Sequence, residues 1–326
     1  MANALIDKDR HLSTVMETEK ITTKDFKKVL IIGLGQIGFA VASYIKKQES
    51  HDVYGYDISP AARDRAELKL GIKNAADFSG FDVYMVCIST HNPNDMFVPD
   101  TSGLISVANR LSQEGKDGAL VVIESTVPKG TSKEFCEIVG HKLHVVHAPH
   151  RWYSEEENEH GVNQPRVIGG VYDCCLRLGM QFFAGTESEN GDSKTHKGLG
   201  VPMMPLSNIE IAELTKIIEN SHRYLQIAFA EELLLYSQAN GIDFWELRKA
   251  LNTKWNVNIL EPRQGIGGHC LPKDTKMFLG SSNLVRSKII AAAIEADDEY
   301  RRYVMTTSPT IKNLKSRFAD TNPNSS

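Results

Sequence analysis

Cys270 stands in the run Gly265-Ile-Gly-Gly-His-Cys270-Leu-Pro-Lys-Asp274. The glycines free the backbone to approach a ligand, and Asp274 follows the cysteine by four residues. A thiol near a lysine can be held as thiolate, which is the nucleophilic form. Lys216 and Asn220 are four apart in a helical pattern, so one helix face presents both to one substrate atom. Glu124-Ser-Thr126-Val-Pro-Lys-Gly-Thr131 ends an apolar run. It places hydroxyls at the carboxyl end of a strand, where α/β sheets bind ligands.

A second set of residues suits a dinucleotide. Gly33-Leu-Gly35-Gln36-Ile37-Gly38 follows Val29–Ile32 and opens a helix. Gly33 allows the tight turn, Gly35 lets a pyrophosphate approach the backbone, and Gly38 lets helix and strand come close. The helix start offers N–H groups and a positive dipole end to phosphates. Asp57, nineteen residues after Gly38 and at the end of the next strand, would accept from a ribose hydroxyl and repel a 2′-phosphate. That favours NAD over NADP, although Arg63 and Arg65 act against the preference.

The other cysteines (Cys87, Cys136, Cys174 and Cys175) fall on strand or helix patterns and read as small core side chains. His150 reads as a site residue, and His269 as a residue that shapes the cysteine loop. His144, His147 and His150 recur every three residues, but no cysteine or carboxylate pattern completes a ligand set, so no metal is expected.

Short apolar runs at 29–32, 52–56, 81–88, 119–125, 144–148 and 166–168 alternate with helical patterns at 36–47, 60–70, 102–113 and 130–140. This is the signature of a doubly wound parallel sheet, an α/β dinucleotide fold. After a polar loop at 185–200 the pattern changes. Ser207 with Glu210 has the form of a capping box, and nothing interrupts a helix from 208 to 238. Apolar residues run around most of that helix, as expected for a buried or interface rod. Asp243 with Glu246 starts a helix to about 251, and another is expected at about 282–305. The expected plan is therefore a loose arm at 1–26, a Rossmann-type domain at 27–200, an all-α domain on one long helix at 201–306, and a tail at 307–326, disordered over its last six residues.

Of 326 residues, 41 % are hydrophobic and 24 % charged, an ordinary globular mixture. The net charge of −4 argues against broad nucleic-acid or anionic-membrane binding. No run approaches the ~20 apolar residues of a membrane span. Asp7 to Arg10 occupy the place of a signal peptide's apolar core, and five cysteines do not make a disulfide framework. A cytoplasmic location is expected.

These motifs, with Cys87-Ile-Ser89-Thr90 and Ala212-Glu-Leu-Thr-Lys216-Ile-Ile-Glu-Asn220, make residues 27 to 305 resemble the UDP-glucose/GDP-mannose dehydrogenase family. The resemblance implies NAD-dependent oxidation of a nucleotide-sugar C6 alcohol to a carboxylate by two hydride transfers. It implies that Cys270 forms a thiohemiacetal and then a thioester. Lys216 and Asn220 would stabilise the oxyanion, Asp274 would hold a water with Lys216, and Thr126 would sit near that water. It also implies that Gly33, Gly35, Gln36, Ile37, Gly38, Asp57, Ser89, Thr90 and Thr126 bind the cofactor. Lys216, Asn220, Arg263, Gly267 and Gly268 would bind the substrate, and the helix 208–238 would form a homodimer.

The chain departs from the family pattern twice. Pro149-His150-Arg151 replaces a proline–glutamate pair, with Glu155, Glu156 and Glu157 out of register, so His150 would take the glutamate's part as base. Only about twenty residues follow Met305, so the family's third domain is expected to be missing. Two other readings stay open: a two-electron hydroxy-acid dehydrogenase, and a non-catalytic NAD-binding protein.

Overall fold

Val29 to Ile32 are all apolar and all buried, the mark of a strand covered on both faces. In a computed structural model of the chain, which describes residues 24–92, 94–151, 161–185, 198–268, 270–281 and 287–319, they lie in β1 (Lys28–Ile32). The chain continues through α1 (Gln36–Lys47), β2 (Asp52–Tyr56), α2 (Pro60–Leu70), β3 (Lys73–Asn74), β4 (Val83–Val86), β5 (His91–Asn92), β6 (Asp95–Pro99) and α3 (Ser102–Glu114). Next come β7 (Leu120–Ile123), α4 (Thr131–Val139), β8 (His144–His147), β9 (Arg166–Gly170), α5 (Asp173–Ala184) and β10 (Met203–Leu206). The last elements are α6 (Ile209–Ala239), α7 (Phe244–Leu251), α8 (Cys270–Gly280) and α9 (Lys288–Ala319). Most of the expected arm, residues 186–197 of the polar loop, Glu155 to Glu157, His269 and the last six residues lie outside the described residues.

The chain divides into two compact units: Met1–Thr90 with Asp100–Lys216, and His91–Pro99 with Ile217–Ser326. In the first, an eight-stranded sheet runs β10-β9-β8-β7-β4-β1-β2-β3. Alternation at period two splits its strands between two cores. Val29 and Ile31 join Val53, Met85 and Val122 on one face, while Leu30 and Ile32 join Tyr84, Val121 and Ile123 on the other. Each such side chain contributes roughly 1.5–3 kcal/mol by burial. The sheet is mostly parallel, but β9 runs antiparallel to β8, a reversal that apolar runs alone do not encode. Order begins before residue 27, since Phe26 packs edge-on against Phe182 at 5.2 Å.

In the second unit, α6 packs Tyr224 and Ala228 against Ile266 and Ala293, and Leu234 lies against Phe244 and Tyr300. This unit is not purely helical, because it takes in the hairpin of β5 and β6, and β6 lies against α8. The division falls within α6 rather than near residue 200, because β10 pairs with β9 in the sheet. The expected capping box does not form at Ser207. Asn208 Oδ1 accepts from Glu210 N at 2.9 Å, and Glu210 turns to Lys133 at 2.7 Å. Asp243 caps α7 as expected, accepting from the N–H groups of Trp245 and Glu246. α9 continues to Ala319, past the end expected at about 305. No helix among the described residues is long and apolar enough to cross a membrane.

Candidate functional site

Gly33 ends β1 with φ +93°, and a Cβ there would lie 2.7 Å from the Cys87 carbonyl oxygen. A Cβ on Gly38 would sit 1.8 Å from the oxygen of Gly33. Both positions therefore need glycine, and the turn is held by Gly33 N donating to Tyr56 O at 2.8 Å. Gly35 is different: a Cβ there would meet nothing within 4 Å. Its surroundings are open where a phosphate would approach, at the N-terminus of α1, whose first N–H groups have no partner inside the helix. The turn lies between β4 and β2 on the sheet, beside the switch point in strand order. These residues fit a dinucleotide.

Asp57 is already engaged with the turn. Its Oδ2 accepts from Leu34 N at 2.7 Å and its Oδ1 from Ser59 N at 2.8 Å. Arg63 donates to the Asp57 carbonyl at 2.9 Å, and Arg65 to the Leu34 carbonyl at 2.5 Å. Both arginines thus brace this backbone. On the neighbouring strand ends Ser89 is exposed, and Thr90 is buried with its hydroxyl donating to Thr126 O at 2.6 Å.

A buried charged cluster, unseen in the sequence, underlies this edge. Arg166 and Glu124 form an ion pair at 2.7 Å, with both side chains almost wholly buried. Arg166 also donates to Ala148 O, and its guanidinium lies over the Phe183 ring at 5.2 Å. Cys87 Sγ is 3.5 Å from Glu124 Oε2, and burial together with that carboxylate pushes the thiol well up, as expected for a core cysteine. His150 is buried, its backbone N donating to Glu124 O at 3.4 Å. Burial, then the charges of Arg166 and Lys216, hold its imidazole well below the usual range. Both causes disfavour the charged ring, so the site holds His150 toward the neutral form, which is the form that can accept a proton. Glu213, also buried, accepts from Gly130 N at 2.6 Å and Ser132 N at 2.7 Å and so caps α4. Within this unit α6 ends on Lys216.

In the second unit Cys270 is exposed and starts α8. A helix N-terminus favours the thiolate. One turn on, Asp274 is buried, with Asn220 Nδ2 donating to its Oδ2 at 2.5 Å and Lys273 Nζ 3.1 Å from its Oδ1. Lys273 is therefore the partner of Asp274 and is itself buried. This arrangement fixes the amide of Asn220 toward the base of the cysteine helix. Arg263, Gly267 and Gly268 are exposed, and a Cβ on either glycine would meet nothing within 4 Å.

The loop before Cys270 is held from α9. Asp297 is buried; its Oδ1 accepts from Ile266 N at 2.9 Å, and its Oδ2 from Tyr224 Oη at 2.7 Å. Arg301 pairs with Asp297 at 3.0 Å and donates to Ile266 O. Gly265, at φ +91°, lies against Arg301, leaving no room for a Cβ. No local pattern announces this brace, because its parts lie about thirty residues apart in sequence.

Residues 61–185 match the NAD-binding domain of the UDP-glucose/GDP-mannose dehydrogenase family, and residues 210–299 match its central domain. The chain belongs to this family. It is an NAD-dependent dehydrogenase of the nucleotide-sugar type. It is 28 % identical over 308 residues to the UDP-N-acetyl-D-mannosamine dehydrogenase of Methanococcus maripaludis, covering 88 % of this chain and 68 % of the relative. The Escherichia coli K12 enzyme of the same name is 28 % identical over 329 residues, covering 90 % and 73 %. Among solved structures, the UDP-D-ManNAc dehydrogenase of Pyrococcus horikoshii matches with TM-score 0.70 and 26 % identity, over 89 % of this chain and 72 % of that one. The Mycobacterium tuberculosis 3-hydroxyisobutyrate dehydrogenase shares the fold, at TM-score 0.63 and 13 % identity.

Proposed function

We propose that this family member oxidises C6 of a UDP-linked sugar from alcohol to carboxylate, with Cys270 as the covalent nucleophile. The names of its relatives make a UDP-N-acetylhexosamine the first substrate class to test. One observation carries the reading: an exposed thiol starts α8, one turn before a buried aspartate that holds Asn220. A two-electron dehydrogenase has no use for that thiol.

NAD, when bound, accepts the hydride in each of the two oxidations. Gly33, Gly35, Gln36, Ile37 and Gly38 would cradle its phosphates, Asp57 its ribose, and Ser89, Thr90 and Thr126 its nicotinamide end. Lys216 and Asn220 stabilise the oxyanion at C6. The Cys270 thiolate adds to the aldehyde carbon to give a thiohemiacetal. Loss of the second hydride gives a thioester, and water then releases the carboxylate and restores the thiolate. Asp274 and Lys216 would hold that water, with Thr126 near it, and His150 would take the glutamate's part as base. Arg263, Gly267 and Gly268 contact the sugar nucleotide.

The test is stoichiometry. The parent should yield two NADH per UDP-sugar, whereas Cys270→Ser should fall in turnover by roughly 10³-fold or more and stall after the first oxidation. Parental turnover in Cys270→Ser would overturn the mechanism. One NADH per substrate in the parent would favour the simpler dehydrogenase.

We also infer a homodimer through α6. Ile218, Leu225, Phe229 and Tyr236 fall within about 20° of one line on a helix of roughly 100° per residue. Phe229 and Tyr236 are 53 % and 58 % exposed, and Ile289 on α9, which lines the same cleft as Phe229, is 67 % exposed. An apolar stripe of this length on a charged surface suits a second copy of the same helix. Light scattering should give a dimer at micromolar concentration, and Phe229→Glu should shift it toward monomer. A parent that is monomeric throughout would remove the inference.

A further inference from the structure

The three-residue histidine spacing in β8 does not gather His144, His147 and His150. His147 is wholly buried with no hydrogen bond to either ring nitrogen, and burial lowers it to about 3. His144 meets other residues instead. At the amino end of β8 it lies near His141, and the start of α5 brings Cys174 and Cys175 to the same place. The two cysteines expected to be core thiols thus stand beside two imidazoles, with Cys175 buried and Cys174 half-buried.

We infer that His141, His144, Cys174 and Cys175 bind one zinc ion in tetrahedral coordination. Their ligand atoms all lie within 4.8 Å of one another. Around zinc, with Zn–S about 2.3 Å and Zn–N about 2.0–2.1 Å, neighbouring donors stand roughly 3.3–3.8 Å apart. Here Cys174 Sγ is 3.2 Å from His141 Nε2, Cys175 Sγ is 3.7 Å from His144 Nδ1, and Cys175 Sγ is 4.0 Å from His141 Nε2. Those three distances straddle the tetrahedral values, and no pair of ligand atoms is more than 4.8 Å apart.

Ligand chemistry selects the metal. Two thiolates with two imidazoles suit zinc, whereas magnesium and calcium need oxygen donors. A divalent cation would displace the proton of a coordinating thiol outright. The site would tie β8 to α5 at the amino ends of the parallel strands, opposite the glycine turn. It is therefore a structural site, separate from the oxidation.

The full reduced chain should carry one zinc per polypeptide by elemental mass spectrometry. Replacement with cobalt(II) should give the absorption of thiolate-to-metal charge transfer. Cys174→Ser and His141→Ala, at the less buried positions, should each weaken zinc by more than the roughly 10–100-fold that losing an outer-shell partner costs. Cys270→Ser should keep its zinc, which separates this site from the catalytic thiol. A parent without zinc and without the cobalt band would overturn the inference. So would a Cys174–Cys175 disulfide in the protein purified without reductant, or unchanged zinc in both Cys174→Ser and His141→Ala.

Discussion

The glycine turn and the cysteine loop are both backbone cradles, built by opposite means. In the first, Gly33, Gly38 and the start of α1 define the turn by close backbone approach, all within six residues of sequence. In the second, Gly265 and Ile266 are shaped by Asp297 and Arg301, which reach Ile266 N and O from another helix. A cradle made by local sterics survives wherever its glycines survive. A cradle made by distant side chains depends on a packed helix staying in register. The second kind is the easier to break without touching a ligand.

The largest effect is therefore expected at Asp297. Asp297→Ala removes the acceptor of Ile266 N and leaves Arg301 without its carboxylate. If the loop shifts by about 1 Å, kcat should fall roughly 10²-fold. NAD affinity should stay at the parental value, and iodoacetamide labelling of Cys270 should change in rate. Asp297→Asn, which can still accept from Ile266 N, should recover part of kcat. Equal losses in kcat and in NAD affinity would mean general unfolding rather than a displaced loop.

A smaller effect, on stability alone, is expected at Glu231 on α6 in the same unit. It is fully buried, and both carboxylate oxygens lack a hydrogen bond. Burial, then the charge of Asp297, raise it to about 8, with Arg301 opposing. A folded value above the unfolded one means that its stabilising share is complete below about 4.5 and is lost as pH rises through about 8. Glu231→Gln should thus be more stable than the parent by on the order of a few kcal/mol at pH 9, with the gap closing toward pH 5. Denaturant titrations at the two pH values measure it. A gap that widens on acidification would show that the carboxyl is ionised in the fold.

What the sequence disclosed follows the same division. β1, its glycine turn, Asp57 and the long helix were legible because each is a local pattern of period, spacing or cap. The Glu124–Arg166 pair, the Glu213 cap on α4 and the Asp297 brace were not, since each joins residues from 31 to 83 positions apart. The antiparallel β9 escaped for another reason: a buried apolar run reads alike in either direction. His150 was found by its place in a motif. The downward shift of its imidazole was not, because that follows from burial and from the charge of Arg166, both of which only the fold supplies. Cys174 and Cys175 do pack with the core as their pattern suggests, and what the pattern did not disclose is that His141 and His144 lie beside them.

The smallest effect sharpens the comparison from the glycine side. Asp57 has two jobs that the sequence merges into one. Its carboxylate holds the turn through Leu34 N and Ser59 N, and in the proposed function it also binds the ribose. Asp57→Ala removes both jobs. Loss of one charge-assisted hydrogen bond is worth about 1.5–3 kcal/mol, so NAD should bind about tenfold or more weakly. NADP should lose less, because the repulsion toward its 2′-phosphate also goes, and Arg63 and Arg65 remain nearby. Asp57→Asn keeps one acceptor but loses the charge, so it separates the two jobs. If repulsion sets the preference, Asn should narrow the gap between NAD and NADP nearly as far as Ala does, while keeping more of the NAD affinity. If holding the turn sets it, Asn should behave like the parent in preference, and Ala should weaken both dinucleotides alike. Titration calorimetry with the two cofactors on the three proteins distinguishes these outcomes. Equal affinity for both cofactors in the parent would remove Asp57 from the ribose altogether and leave it as a brace for Leu34.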